Sequence, residues 1–328
     1  MSLPWLVVTF SASSRDRSII SAAAEGVAHV AYLDEQAEDS RRSILANATV
    51  LLSRNTAKEL RSGEEQSFKK LRLVQYLSAG IDFIPLKKFP EATLIAGNGG
   101  GYAEPMAEHA LMMALAAHKR LIVEHKKLEE GTFDQFRLNR MFSGSTCGIL
   151  GFGGIGQATA RLMRAAGSKI HAINRSGQTN ECVDWIGTTD QLAQFLGRID
   201  TLVVSLPLTP ATAGLLGHSE LSAMKNNAVL VNLARGEILD EKALFFHLQE
   251  TPEFTACIDA WWIEPVRHGE FRTNYDFLRL PNVLASPHNS ASVTGWSEIA
   301  MRRALANACR ALRGVTPRFV VPFQDRMM

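Results

Sequence analysis

Three residues in the second half of the sequence have the types and placing to hold an anion and move a proton. Arg235 closes the apolar run Ala228–Ala234, Glu264 closes Phe254–Ile263, and His288 closes Asn282–Pro287. Short apolar runs with β-branched residues predict buried strands. In open α/β sheets, ligands gather just outside the strands' carboxyl ends. An arginine there can clamp a carboxylate and aim a donor at a neighbouring carbonyl oxygen. A histidine can give that oxygen a proton, or take one in the reverse direction. Glu264 can accept from the far ring nitrogen of His288, fixing its tautomer and favouring the charged ring. The set suits reduction of a 2-keto acid, whose carbonyl oxygen gains charge as a hydride reaches its carbon. Taken singly, each residue reads equally well as a turn, a loop or a core histidine.

What makes the set coherent is a glycine-rich turn upstream. Thr146–Leu150 predicts a strand, Gly151-Phe152-Gly153-Gly154-Ile155-Gly156 supplies G-x-G-x-x-G, and Gln157–Ala166 continues as a helix. The first glycine makes the tight turn, the second lets backbone approach a pyrophosphate, and the third lets helix and strand pack closely. The motif alone is weak, but here the flanking strand, the helix and the next strand, Lys169–Ile173, are all present. An NAD site would carry an acidic residue about 20 residues on, to hold the ribose hydroxyls. This chain has Asn174-Arg175-Ser176 instead. Arg175 can grip a 2′-phosphate, with Asn174 and Ser176 adding hydrogen bonds, so NADP is the expected cofactor, with NAD the alternative.

The elements that must position these residues follow a β-α rhythm. Trp5–Phe10, Thr49–Leu52, Leu71–Leu77 and Thr93–Ala96 predict strands of a first parallel sheet, with a helix near Ser18–Val27. Gly97–Gly101, four glycines in five residues, is the candidate linker. Pro105–Leu128 predicts one long helix, apolar around most of its first half, and is the expected homodimer contact. A second β-α series runs from Ser145 to about Pro287, and Ala291–Arg313 is helical. At 328 residues there is room for two cores; 46% apolar and 21% charged residues are ordinary for a globular protein. A net charge of +2 gives no support for a nucleic-acid or membrane-surface partner. Cys147, Cys182, Cys257 and Cys309 show neither CxxC nor metal-ligand spacing, so reduced thiols and no metal are expected. The first residues lack the basic region of a signal peptide and no stretch is long and apolar enough to span a membrane. A cytoplasmic protein is the expectation.

Together the residues resemble the D-2-hydroxyacid dehydrogenase family (D-isomer-specific, with glyoxylate and hydroxypyruvate reductases among its members). The likeness covers Leu77–Asp82, Gly148–Gly156, Asp200–Pro207, Val231–Glu237, Asp259 with Glu264-Pro265, and Ser286–His288. It implies an α/β protein of two doubly wound parallel-sheet domains. A central Rossmann domain, 99–289, would be inserted in a flavodoxin-like catalytic domain made of 1–98 and 290–328. The resemblance also implies that backbone groups at Ala79 and Gly80 hold the substrate carboxylate with Arg235, and that Asp259 holds the nicotinamide carboxamide. Leu206, Pro207 and Thr212 would line the cofactor. Three features depart from the family pattern: Asn289 in place of an apolar residue, the bulky Trp261-Trp262, and a long Val266–Leu280 stretch. Trp261 or Trp262 is expected to reshape the pocket, either making it small or giving it an aromatic wall for a larger side chain. With the sequence ending near residue 328, the regulatory domain of long-form phosphoglycerate dehydrogenases is not expected. The expected activity is reduction of glyoxylate, hydroxypyruvate or pyruvate to the D-hydroxy acid. Alternatives are a phosphoglycerate- or formate-type dehydrogenase, although the formate type usually has Gln in place of Glu264, and a dinucleotide-sensing corepressor-like protein.

Overall fold

The computed structural model describes residues 2–326. The chain forms two compact units, Met1–Tyr102 with Val293–Met328, and Ala103–Ser292. In the first unit β1 (Trp5–Val8), β2 (His29–Tyr32), β3 (Ala48–Ser53), β4 (Leu73–Tyr76) and β5 (Leu94–Ala96) form a parallel sheet ordered β2-β1-β3-β4-β5. That order is the flavodoxin-like one. Both faces are covered, so successive strand residues alternate between two cores. Leu6, Val8, Val50 and Leu52 pack with Ile19, Ile20, Met301 and Leu305. Val7, Leu51 and Val74 pack with Leu33, Leu45, Ile84 and Phe89. Unbroken apolar strands such as Val50-Leu51-Leu52 are what a sheet buried on both faces requires. The helix Trp296–Leu312 returns from the far end of the chain to this sheet.

The second unit carries β6 (Thr146–Leu150), β7 (Lys169–Ile173), β8 (Trp185–Gly187), β9 (Thr201–Val204), β10 (Val229–Asn232), β11 (Thr255–Ile258) and β12 (Val283–Ala285). All pair in parallel, in the order β12-β11-β10-β9-β6-β7-β8. The order reverses between β6 and β9, the switch point where a doubly wound sheet leaves a crevice. Because every strand points the same way, the residues after Leu150, Ile173, Val204, Asn232, Ile258 and Ala285 all emerge at one edge.

Two expectations are corrected. The helix expected over Pro105–Leu128 is two helices, Ala103–His118 and Leu121–Glu129, broken where Arg120 takes a left-handed backbone at φ +52°. The first has its apolar side buried in its own unit, with Ala103 and Ala107 against Ala158 of the helix Gly154–Ala165. Part of its apolar circumference is thus covered within one unit, while Met112 is 51% exposed. The glycine segment 97–101 is packed rather than free. A Cβ at Gly99 would collide with the Phe319 ring and one at Gly97 would lie 2.7 Å from the Ala79 carbonyl. Asn98, 3% exposed, donates to the Leu77 and Ala300 carbonyls.

Candidate active site

At the end of β6, Gly151 turns the chain with φ +98°, and a Cβ there would lie 2.8 Å from the Leu206 nitrogen. A Cβ on Gly156 would strike the Gly151 carbonyl, so both glycines are demanded by the protein's own packing. Gly153 differs: it has φ −86°, and nothing lies within 4 Å of where its Cβ would be. The free space lies at the N-terminus of the twelve-residue helix Gly154–Ala165, which has no side-chain cap. An open approach to uncapped backbone N–H groups at the positive end of a helix fits a pyrophosphate. Phe152 is buried and Ile155 packs against Ala103 and Ala107, so these two shape the turn with side chains that point inward.

The neighbouring strand ends complete the cradle. After β9, the Ser205 hydroxyl donates to the Gly151 carbonyl at 2.6 Å, placing Leu206 beside the turn. Thr212 Oγ1 donates to the Pro207 carbonyl at 2.7 Å and accepts from Thr209 N–H at 2.8 Å. It therefore braces the Pro207–Thr212 loop. After β7, Asn174 Oδ1 accepts from the Ser176 and Gly177 N–H groups and its amide donates to the Gln178 carbonyl. The Asn174 side chain is thus engaged in building the turn that carries the exposed Arg175 and Ser176. No carboxylate stands at the end of β7.

The three chemical residues follow β10, β11 and β12. Arg235 is half-buried, and its Nη1 donates to the Ala234 carbonyl at 2.8 Å. Asn232, which the sequence reading passed over, shapes this turn by donating to the Arg235 carbonyl and accepting from Ala234 N–H. Gly236 lies so close to the backbone of Trp261 and Trp262 that a Cβ would clash. Glu264, 6% exposed, accepts from His288 Nδ1 at 2.8 and 2.9 Å and from Trp261 N–H at 2.7 Å. Burial alone would raise its pKa. The hydrogen bonds from His288 and Trp261, with the charges of His288 and Arg235, outweigh burial and hold it below the ordinary carboxylate value. An ionised Glu264 can only accept, so Nδ1 carries a proton and Nε2 is the nitrogen left for substrate. His288 itself has φ +50°, and its side chain is one-third exposed.

Asp259 follows β11 and reaches the loop of His288. It is fully buried, and its carboxylate accepts from the Ser286 hydroxyl at 2.5 Å and from the N–H groups of Asn289 and Ser290. Its carbonyl accepts from His288 N–H at 2.9 Å. Its side chain therefore also shapes the loop that carries His288. His109 joins from the helix Ala103–His118, with Nε2 3.1 Å from Ser286 Oγ. The link to His109 was not legible in the sequence, since His109 and Ser286 are 177 residues apart. Trp261 is 3% and Trp262 9% exposed, and both pack against Phe277, with Phe271 also on Trp261. Trp262 borders a cavity of about 490 Å³ with Glu237, Leu239 and Tyr275. Ala79 and Gly80 lie in the first unit, just after β4, in a turn held by Asn98 N–H on the Ser78 carbonyl at 2.8 Å. Among the described residues, no cluster of His, Cys, Asp and Glu could hold a metal. All four cysteines are free thiols, and among the described residues no helix is long and apolar enough to cross a membrane.

Comparison with known proteins agrees with this geometry. Residues 111–290 match the family described as D-isomer specific 2-hydroxyacid dehydrogenase, NAD binding domain. A glyoxylate reductase of Aeropyrum pernix is 31% identical over 241 residues, 71% of this chain and 70% of its own. A hydroxypyruvate reductase of Thermotoga maritima is 29% identical over 258 residues, 78% and 82%. A D-3-phosphoglycerate dehydrogenase of Methanocaldococcus jannaschii is 29% identical over 76% of this chain, which spans about half of that relative's length (47%). Among solved structures, a Pyrobaculum aerophilum protein provisionally assigned as a formate dehydrogenase superposes with a TM-score of 0.81. It is 26% identical, over 99% of this chain and 100% of its own. The glycine turn at a switch point, the residues at successive strand ends and these likenesses place the chain in one group: it belongs to the D-isomer specific 2-hydroxyacid dehydrogenase family.

Proposed function

We propose that the protein reduces a small 2-keto acid such as glyoxylate, hydroxypyruvate or pyruvate to the D-2-hydroxy acid, preferring NADPH to NADH. The observation that carries this reading is the Glu264–His288 pair, with the Arg235 charge acting on Glu264. The nicotinamide, when bound, supplies the hydride. The chain's residues do the rest. Arg235 holds the substrate carboxylate, with backbone groups at Ala79 and Gly80 as its proposed partners. His288 Nε2 delivers the proton to the keto oxygen, and Glu264 steadies the charge on the ring until that moment. Gly151–Gly156 holds the pyrophosphate, with Leu206, Pro207 and Thr212 alongside. Arg175 and Ser176 follow β7 at the place where an NAD site carries an acidic residue, and so favour a 2′-phosphate. An acid–base pair also separates this reading from formate oxidation, in which hydride leaves carbon and no proton has to reach an oxygen.

The homodimer contact is proposed to lie after the helix Ala103–His118. Leu121, Leu128, Phe133, Phe136, Leu138 and Met141 are all exposed, Leu138 by 88%. An apolar arm of that size is what a second copy would cover. The activity is tested by following NADPH and NADH oxidation with glyoxylate and hydroxypyruvate in parallel. Turnover favouring NADPH and abolished in His288→Ala is expected. Tight cofactor binding with no turnover on any small 2-keto acid would overturn the reading.

A further inference from the structure

Trp261 reaches both members of the Glu264–His288 pair. Its backbone N–H donates to Glu264 Oε1 at 2.7 Å, and its indole N–H donates to the Ser286 carbonyl at 2.9 Å, two residues before His288. The ring is buried and buttressed edge-on by Phe271, so the indole has little freedom to turn away. Beyond Ser286, the chain enters the left-handed region at His288, a conformation that a residue with a Cβ holds only when its surroundings impose it. Asp259 imposes part of it, through the bonds to Ser286, His288, Asn289 and Ser290. These bonds fix the loop from one side. The indole is an independent second hold.

We propose that Trp261 is a positioning residue for the Glu264–His288 pair. Its indole N–H, acting through the Ser286 carbonyl, sets where the imidazole stands against the carboxylate. The proposal rests on the reductase reading above. Phenylalanine at 261 would keep a ring against Phe271 and the backbone N–H on Glu264, and would delete only the bond to Ser286. The chain contains its own control. Trp262 makes a bond of the same kind, indole N–H to the Leu239 carbonyl at 2.8 Å, away from the loop 286–290. The titratable groups around the pair are Asp259 and His109 beneath the loop, Arg235, and His268, whose Nδ1 accepts from Glu264 N–H at 3.0 Å. Neither substitution alters any of them.

The test compares Trp261→Phe with Trp262→Phe, once the wild type has been shown to oxidise NADPH with glyoxylate or hydroxypyruvate. Trp261→Phe should slow single-turnover reduction roughly tenfold, as a slightly misplaced proton donor does. It should also move the alkaline fall of the pH profile to lower pH, with NADPH affinity and KM unchanged within about twofold of wild type. Trp262→Phe, which deletes a bond of the same kind, should lower Tm about as much as Trp261→Phe does and leave the pH profile where it was. A second readout needs no turnover: the downfield proton signal of His288 Nδ1–H, identified by its loss in His288→Gln, should broaden or move upfield in Trp261→Phe alone. A Trp261→Phe protein with wild-type pH profile and wild-type signal, whatever its Tm, would overturn the proposal, as would equal changes in both variants. If the wild type reduced no 2-keto acid, the reductase reading would fail, and the proton signal would still decide whether Trp261 holds the pair.

Discussion

Replacing Glu264 by Gln keeps the shape of the side chain and removes its charge. The amide oxygen can still accept from Trp261 N–H, so the loop that follows stays anchored. What is lost is the carboxylate at 2.8 Å from His288 Nδ1. Two unit charges about 4 Å apart attract by about 4 kcal/mol at an effective dielectric of about 20. The open third of the imidazole lets solvent screen part of that. A net loss of about 2 kcal/mol corresponds to a roughly thirtyfold slower reduction at neutral pH. The expected result is that fall in kcat with glyoxylate and NADPH, with the alkaline limb of the profile displaced to lower pH. NADPH affinity, measured by fluorescence, should not change. Because Glu264 is held below the ordinary carboxylate value in the folded protein, it stabilises the fold above that range and ceases to do so as pH falls through its own lower value. Glu264→Gln should therefore also flatten part of the acid limb of the stability curve. A variant within about threefold of wild type in kcat, with an unmoved profile, would refute the assignment of Glu264 as the partner of a proton donor.

Three further outcomes are expected. Gly153→Ala should melt near the wild-type temperature, since its Cβ meets nothing, yet bind NADPH at least tenfold more weakly by titration calorimetry, whereas Gly156→Ala should lose stability outright. Arg175→Ala should lower the ratio of NADPH to NADH kcat/KM by about tenfold or more, and an unchanged ratio would sink the cofactor preference. His118, 2% exposed and bonded to Thr201 Oγ1 at 2.9 Å, is pushed down to about 4 by burial and then by the Arg140 charge. The unfolded chain takes up that proton near the ordinary histidine value, so stability is full above it and falls as pH drops from about 6.5 to about 4, by up to about 3 kcal/mol. Urea titrations across that range should show a shallower fall in His118→Gln.

The parts of the site legible in the sequence are those whose chemistry is local. A glycine turn flanked by its strand and helix can be read in one window, and so can a charged residue ending an apolar run. The parts that were not legible depend on partners distant in sequence. His109 and Ser286 are 177 residues apart, and the bond from Trp261 to Ser286 spans 25. The break at Arg120 carries neither proline nor glycine, so helical periodicity runs through it unmarked. β2 and β8 carry no unbroken apolar run, because His29–Tyr32 includes a histidine and Trp185–Gly187 a glycine. The segment 97–101 misled for a physical reason: glycine is used there because neighbours leave no room for a Cβ, and the same letters signal freedom only where neighbours are absent.

The return of the helix Trp296–Leu312 to the first sheet has a consequence for how the chain comes to be folded. Its contacts there span most of the sequence: the Asn98 amide to the Ala300 carbonyl across 202 residues, and Arg15 to Glu298 across 283. During synthesis, β1 to β5 leave the ribosome early, but one of the two cores that bury them cannot close until Met301 and Leu305 have emerged. The whole second unit, Ala103–Ser292, is translated in that interval and is compact in itself. The order of birth is therefore reversed in the order of folding: the middle of the chain is finished first, and its beginning waits for its end.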